Sequence, residues 1–506
     1  MSSGMDDGRL SPEEAAAIHT RAKMGVRLLL ARQLVVLFLT FGAGIALARL
    51  LRPSEFGLYA IATFVVEILG LFGTFGLAPS FIQRRREPSD DDLAVGFTLQ
   101  QIVATVLVGV IVVIAPWVMA LFPDAPAGST WLIRVLGFSL YLTSWRSISA
   151  LQLERRLRYD RLAWIEVVEA LSFQATAVSL AALGHGVWSF VVAALVRGVL
   201  GTTLVYLAAP WPIRLKLDRR VTREILGFGV PFQLQSVANQ AGSWVTPLLV
   251  GTVVGPQGVG FLTWASSNAR KPLLFVDNVM RVAFPHFSRI QDDREEVERV
   301  LVRYLTYLLL PAGAWFAVLL VAGHSLVITI YSAKWSPAVL ALILFALALF
   351  VDVVQWVFAV TLNSLGLVKI STRILLVRNA VTIAMSIPLV LAVGFNGVPV
   401  AYLAAGVAVG PWFLVVLRKE IGERVIRRVL WILVPIIAGV LAGAPMLLPA
   451  LPTSVKAVSA SVLVLTGYSA AVWLKKPQWL GEKIRSLHPF VWAVGRLRAY
   501  RASAVG

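Results

Sequence analysis

Apolar runs long enough to cross a bilayer recur along almost the whole of this chain, and no other feature narrows its fold so far. A spanning helix needs about 20 predominantly apolar residues, because in hydrocarbon every backbone amide must find its partner within the segment. Fourteen candidate spans lie between charged or Pro/Gly-rich breaks, at 27–50, 57–80, 94–121, 130–151, 162–183, 187–209, 225–253, 257–283, 301–323, 337–363, 374–393, 397–417, 429–449 and 454–474. Hydrophobic residues make up 58% of the 506 and charged residues only 14%, with a mean hydropathy of +0.79, which excludes a set of water-soluble domains. An all-α integral membrane protein is predicted. The chain has no cysteine, which removes disulfides, iron–sulfur clusters and thiol nucleophiles together. The five histidines, at 19, 185, 286, 324 and 488, have no metal-ligand spacing, so neither a metal nor a cofactor is expected.

The net charge of +19 is explained by where the basic residues sit. Cytoplasmic connections are rich in Lys and Arg. With the N-terminus inside, the runs at Arg84–Arg86, Arg155–Arg161, Arg214–Arg223, Arg289–Arg303, Arg418–Arg428 and the tail from Lys475 all fall on one side. Only Arg49, Arg52, Lys334 and Lys456 fall on the other. Both termini are therefore expected in the cytoplasm, with the basic loops facing anionic lipid, and a nucleic-acid partner is set aside. Residues 1–20 carry Asp6, Asp7, Glu13 and Glu14 and no apolar core, so the first span is read as retained rather than cleaved. The external connections are short, and the work of the protein is expected inside the bundle.

An internal echo divides the spans. The turn after span 1 reads Pro53-Ser54-Glu55-Phe56-Gly57-Leu58-Tyr59, and the turn after span 7 reads Pro256-Gln257-Gly258-Val259-Gly260-Phe261. A second echo pairs Pro79-Ser80-Phe81-Ile82-Gln83 with Pro285-His286-Phe287-Ser288-Arg289-Ile290-Gln291. Pro and Gly gather at helix ends in any bundle, but two echoes in matching positions favour duplication. The expected organisation is a cytoplasmic segment 1–20, an N-lobe of six spans over 21–209, a linker 210–224, a parallel C-lobe over 225–418, two further spans over 419–474 and a basic amphipathic tail 475–506 on the cytoplasmic leaflet.

Leu47 to Tyr59, with Phe75-Gly76-Leu77 and Ile82-Gln83-Arg84, resembles the first helical hairpin of the polysaccharide repeat-unit flippases, the Wzx-type members of the MOP/MATE-like superfamily. Gly184-His185-Gly186-Val187-Trp188 is similar to that family's Gly-x-Gly-Val-Trp turn, and Pro285 to Asp293 to its Pro-x-x-Ser-x-Ile-Gln-Asp-Asp segment. Motifs carry the resemblance over about the first 300 residues, and span count carries the rest. The resemblance implies movement of an undecaprenyl-pyrophosphate-linked oligosaccharide to the external leaflet of the bacterial inner membrane by alternating access, without catalysis. It also implies membrane lipids and a polysaccharide polymerase and export machinery as partners. This chain departs from the family at Thr246-Pro247-Leu248-Leu249, where many relatives carry an Asp, and at Phe261, usually Tyr. A coupling role for that acid does not carry over.

Ionisable groups at membrane depth cost at least about 2.5–3.5 kcal/mol on insertion scales, so each needs a partner, a wet cavity or a ligand. In span 8, at about 100° per residue, Arg270, Asp277 and Arg281 share a stripe with Thr263 and Ser266, and Pro272 is expected to open a kink beside Lys271. Arg270 and Lys271 suit a pyrophosphate, the guanidinium as a planar fork and the ammonium as a point charge. Pairing of Arg270 or Arg281 with Asp277 is the competing reading, and Arg281 can also reach the cytoplasmic surface. Arg197 in span 6 and Arg32 in span 1 are further head-group candidates; Glu166 or Glu169 could instead neutralise Arg197. Gln233, Ser236, Gln240 and Ser243 lie on one face of span 7 and suit sugar hydroxyls or, equally, hydrogen bonds between helices. Glu67, Asp277 and Asp352 are candidates for ion coupling, with an ion pair to another helix as the alternative.

Three rival functions remain. A MATE-type multidrug or cation antiporter would have an acidic cavity, whereas the span 8 face is basic. A membrane glycosyltransferase, polymerase or ligase would carry acids on a large external loop, and the longest external connection here, around His324 to Ser336, has none. A flippase for the peptidoglycan lipid precursor would share the head group but resembles the first hairpin less.

Overall fold

In the computed structural model the chain is described over residues 35–73, 77, 80–81, 87–122, 124–126, 128–156, 158–421, 424–447 and 452–474. Among these residues the structure is helical with no strand. The helices are α1 (Val35–Leu50), α2 (Pro53–Gly73), α3 (Asp90–Ala120), α4 (Thr130–Arg155), α5 (Tyr159–Ala182) and α6 (Trp188–Ala208). The long element Arg219–Ala269 is two helices, α7 (219–254) and α8 (256–269), parted at Gly255, whose φ of 82° and ψ of 179° only glycine adopts readily. Then follow α9 (Leu273–Arg289), α10 (Arg294–Leu326), α11 (Val339–Ser364), α12 (Val368–Val393), α13 (Gly397–Glu420), α14 (Arg424–Gly443) and α15 (Thr453–Leu474). With α8 and α9 as halves of the eighth, each of the fourteen expected spans has its helix. Nine stretches among the described residues are long and apolar enough to cross a membrane by those criteria alone. The protein is a multi-pass integral membrane protein.

Local sequence explains the starts and the outer faces. Ser89 Oγ accepts from the Asp92 amide at 3.2 Å while Asp92 Oδ2 accepts from the Ser89 amide at 3.0 Å, a reciprocal cap that begins α3. Asp218 accepts from the amides of Arg220 and Val221 at 2.8 and 3.0 Å ahead of α7, and Asp293 from that of Glu296 at 3.0 Å ahead of α10. Pro53 and Pro256 occupy the first turns of α2 and α8, where a missing N–H costs nothing. Along α3, Val106, Val110, Val113 and Trp117 form an exposed apolar stripe, whereas Ala104, Ile111 and Ala115 are buried. Such a stripe would be an aggregation hazard in water and is the normal surface of a helix in lipid.

The chain divides into two compact units. One holds, among the described residues, those from 35 to 268, 330–341 and 376–405. Within it α6 lies close on α4: Thr202 Oγ1 donates to the Leu142 carbonyl at 2.9 Å, and a side chain at Gly198 would press on Leu142. Its core includes a cluster of Leu77, Phe81, Leu93, Phe97, Ile148, Leu151, Trp211 and Ile225. The other unit holds, among the described residues, 269–329, 342–375 and those from 406 to 474. Its core runs from Phe287 through Leu301, Leu305 and Leu309 of α10 to Val353, Val357 and Phe358 of α11, Phe413 of α13 and Val464 of α15. Phe81 and Phe287, matched residues of the second sequence echo, are each fully buried in the core of their own unit.

Candidate functional site

Several of the connections that the charge pattern assigns to the external side meet in the first unit. α1 ends with orphan carbonyls, and the segment after α10 supplies their partners: Trp335 Nε1 donates to Ala48 O at 2.8 Å and Lys334 Nζ to Arg49 O at 2.7 Å. Arg49 Nε in turn donates to Ile330 O at 2.7 Å. Trp335 is fully buried, with Phe56 edge-on at 5.1 Å and Trp264 stacked at 4.9 Å. The backbone between them is strained: Val327–Tyr331 is a π turn, and Ser332, a non-glycine residue, has φ of 125°.

The two echoed turns meet in the same cluster. A Cβ on Gly57 would run into the Pro256 carbonyl, and a Cβ on Gly260 into the Pro53 carbonyl. The Glu55 carboxylate lies against Gly186, whose φ is +55°, and Phe190 stacks on Tyr59 at 4.6 Å. Two of the motifs behind the family resemblance, Leu47–Tyr59 and Gly184–Trp188, therefore pack against each other.

A cavity of about 320 Å³ opens in the same unit among α1, α5 and α6, lined by Thr40, Glu166, Glu169, Phe173, Gln174 and Arg197 with two aliphatic residues. Glu169 is its anchor. The carboxylate is 3% exposed, receives Arg146 Nη1 at 2.7 Å on Oε1 and stands 3.8 Å from Arg197 Nε through Oε2. Gly201, one turn beyond Arg197, leaves the space that the carboxylate fills. The Arg197 side chain remains 56% exposed. Arg197 thus has the acidic partner that the sequence named, and it also lines a cavity. Glu67, exposed on α2, and Arg197 both lie within electrostatic reach of the Tyr59 hydroxyl, which brings these two candidates into one neighbourhood. Arg146 completes the charge cluster, and sequence reading gave it no role: it sits 23 residues from Glu169, across a helix hairpin, where no local spacing links them.

α8 ends and α9 begins at Arg270-Lys271-Pro272, the break that Pro272 predicts. The Leu273 amide bonds the Arg270 carbonyl at 2.9 Å and restarts the helix. Arg270 is exposed and Lys271 half-buried. Just ahead of the break, Tyr331 Oη donates to Asn268 Oδ1 at 2.8 Å within the first unit; just after it begins, Trp315 Nε1 donates to Ala269 O at 3.2 Å within the second. Thr263 and Ser266 lie on α8 ahead of the break, and Asp277 and Arg281 on α9 after it.

Gln233 of α7 is buried and its Nε2 donates to the Leu71 carbonyl of α2, a hydrogen bond between helices. Ser236, Gln240 and Ser243 follow on α7. Asp352 is buried on α11. Arg32 and the tail 475–506 lie outside the described residues. No group of three or more His, Asp or Glu suited to a metal occurs among the described residues.

Residues 46–340, more than half of the chain, match the polysaccharide biosynthesis protein family, and the chain belongs to that family. It is 25% identical over 299 residues to the succinoglycan biosynthesis transport protein ExoT of Rhizobium meliloti (strain 1021), covering 58% of this chain and 59% of that one. It is 23% identical over 318 residues to the lipopolysaccharide biosynthesis protein WzxC of Escherichia coli (strain K12), covering 58% and 60%. The matched region thus spans about three fifths of the length of these curated relatives. Among solved structures, the lipid II flippase MurJ in an inward closed conformation superposes with a TM-score of 0.72 at 16% identity, covering 90% of this chain and 99% of that one. An inward-facing multidrug resistance MATE family transporter of the MOP superfamily gives 0.57 at 16% identity, covering 76% and 94%. At such identity the likeness shows the fold alone, a helical bundle shared with these two structures.

Proposed function

We propose that this protein is a flippase that moves an undecaprenyl-pyrophosphate-linked oligosaccharide repeat unit, destined for an exopolysaccharide, capsule or O-antigen, from the cytoplasmic to the external leaflet. The observation that carries this reading is a cationic break, Arg270-Lys271-Pro272, exposed at Arg270 and half-buried at Lys271, in a fold shared over 90% of the chain with the lipid II flippase MurJ. Guanidinium and ammonium groups beside each other offer a pyrophosphate both a bidentate fork and a point charge. Arg270 and Lys271 are the primary head-group ligands, with Arg281, Arg197 and Arg32 as further contacts along the path. Glu67, Asp277 and Asp352 are the carboxylates assigned to ion coupling, and Ser236, Gln240 and Ser243, with Gln233, are candidates for contact with sugar.

The protein works by alternating access between an N-lobe at 21–209 and a parallel C-lobe at 225–418, in the bacterial inner membrane with both termini in the cytoplasm, and hands its cargo to a polymerase and export machinery. The reciprocal packing of the Pro53 and Pro256 turns supports the duplication, and the convergence of the short connections supports their common side. The test is a leaflet-accessibility assay in vesicles carrying the lipid-linked oligosaccharide. Protein-dependent exposure of the sugar on the opposite leaflet is expected; equal exposure with and without the protein overturns the reading.

A further inference from the structure

Gln233, the one sugar candidate on α7 whose side chain is described, donates its amide to the Leu71 carbonyl. The cavity of the first unit offers a different set. Its wall combines an aromatic ring, Phe173, with a hydroxyl, Thr40, two carboxylates, Glu166 and Glu169, and the Gln174 amide. Gln174 Oε1 is sealed from solvent and accepts no hydrogen bond in the described structure. A buried acceptor left without a donor costs about 1–3 kcal/mol, so turning this amide about its side-chain torsions to meet a ligand O–H in the cavity gains more than the same contact would in water. The Glu169 carboxylate is fixed by Arg146 and by the space that Gly201 leaves, so its position does not depend on the ligand. Arg197 supplies N–H donors beside it. The lining therefore mixes more than one acceptor with a guanidinium and an apolar ring face, the complement of a pyranose with donor hydroxyls around its rim and C–H groups on its face. The volume of about 320 Å³ is at the small end for ligand sites.

We infer that this cavity is a glycan subsite, holding one or two sugar rings of the cargo, with Gln174 and Glu166 accepting from sugar hydroxyls and Phe173 stacking on a ring face. The assignment rests on the flippase reading and places the sugar end of the cargo in the N-terminal unit, on α5 and α6. An organic cation would also meet carboxylates and an aromatic ring, but it leaves the Gln174 acceptor unmet and faces Arg197.

The test measures equilibrium binding to the full chain in nanodiscs for two probes: the undecaprenyl-pyrophosphate-linked oligosaccharide extracted from the cells that make this protein, and undecaprenyl pyrophosphate without sugar. Gln174→Leu and Glu166→Leu are each expected to weaken binding of the glycan-bearing lipid about five- to ten-fold, the loss of one hydrogen bond, and to leave the sugar-free lipid unchanged. Unchanged affinity for the glycan lipid in both variants overturns the subsite, and so does an equal loss for both lipids, which marks a head-group or folding effect. Tight binding of tetraphenylphosphonium that Glu166→Leu abolishes, with the glycan lipid unaffected, overturns it in favour of a cation site. Wild-type protein that binds neither lipid overturns the flippase reading itself, and the subsite with it.

Discussion

Gly57 of α2 and Gly260 of α8 pack backbone to backbone, each in the space that the other's turn leaves. The position of a Cβ on Gly57 lies 2.9 Å from the Gly260 nitrogen, and that of a Cβ on Gly260 lies 3.1 Å from the Gly57 nitrogen. Each would also strike a backbone carbonyl, of Pro256 or Pro53, which has no rotamer by which to move aside. The contact is reciprocal, as a pseudo-two-fold axis between two copies of one turn requires.

Gly57→Ala and Gly260→Ala should therefore each destabilise the protein. Alanine favours a helix over glycine by up to about 1 kcal/mol, but overpacking against rigid backbone costs about 3 kcal/mol, so the clash wins by about 2 kcal/mol. Gly42→Ala on α1, where nothing stands within 4 Å, isolates the propensity effect and should leave the melting temperature equal or slightly higher. The measurement is thermal unfolding of the purified protein in detergent; a Gly57→Ala variant as stable as wild type would show that the turns part readily.

Glu169 holds two guanidiniums, and its loss should cost more than the loss of either. Glu169→Leu leaves Arg146 facing an apolar wall and should destabilise by about 3 kcal/mol, the scale for breaking a buried pair. Arg197 is 3.8 Å away and more than half exposed, so Arg197→Gln should cost under about 1 kcal/mol. Thermal melts of the two variants side by side settle the order; equal losses would mean that the Arg197 pair is the tighter one.

Arg270→Ala should abolish transport while the folded protein remains in the membrane, and Arg270→Lys should recover part of the activity, since the ammonium keeps the charge and loses the fork. If Arg270 instead serves Asp277, the single variants should fall in abundance and Arg270→Ala/Asp277→Ala should restore it. Transport per folded molecule decides between them, and normal specific activity in Arg270→Ala would sink the head-group assignment.

Reporter fusions at Asp124 and Arg219 should report opposite compartments, external for the first and cytoplasmic for the second, because the basic residues are distributed that way. Agreement between the two would overturn the count of spans.

The sequence by itself determined what the solvent demands. Backbone amides in lipid must be satisfied within each segment, so length and apolarity place a helix near each of the fourteen spans, and Pro272 marks the break between α8 and α9 before any coordinate is seen. Turn chemistry is equally local: Pro53, Pro256 and the glycines that follow them are legible as paired turns. Arg146, Glu169 and Gly201 are not, because three helices supply one ion pair and the hole that holds it, and no periodicity connects residues on different helices. The buried hydrogen bond of Gln233 to Leu71 likewise depends on which face α7 turns toward α2. The phase of α9 relative to α8 is likewise not set by sequence spacing, because proline interrupts the backbone hydrogen bonds on which helical phase depends. Tertiary structure alone decided that Gly57 meets Gly260, since a contact between distant turns is a property of packing and not of either segment.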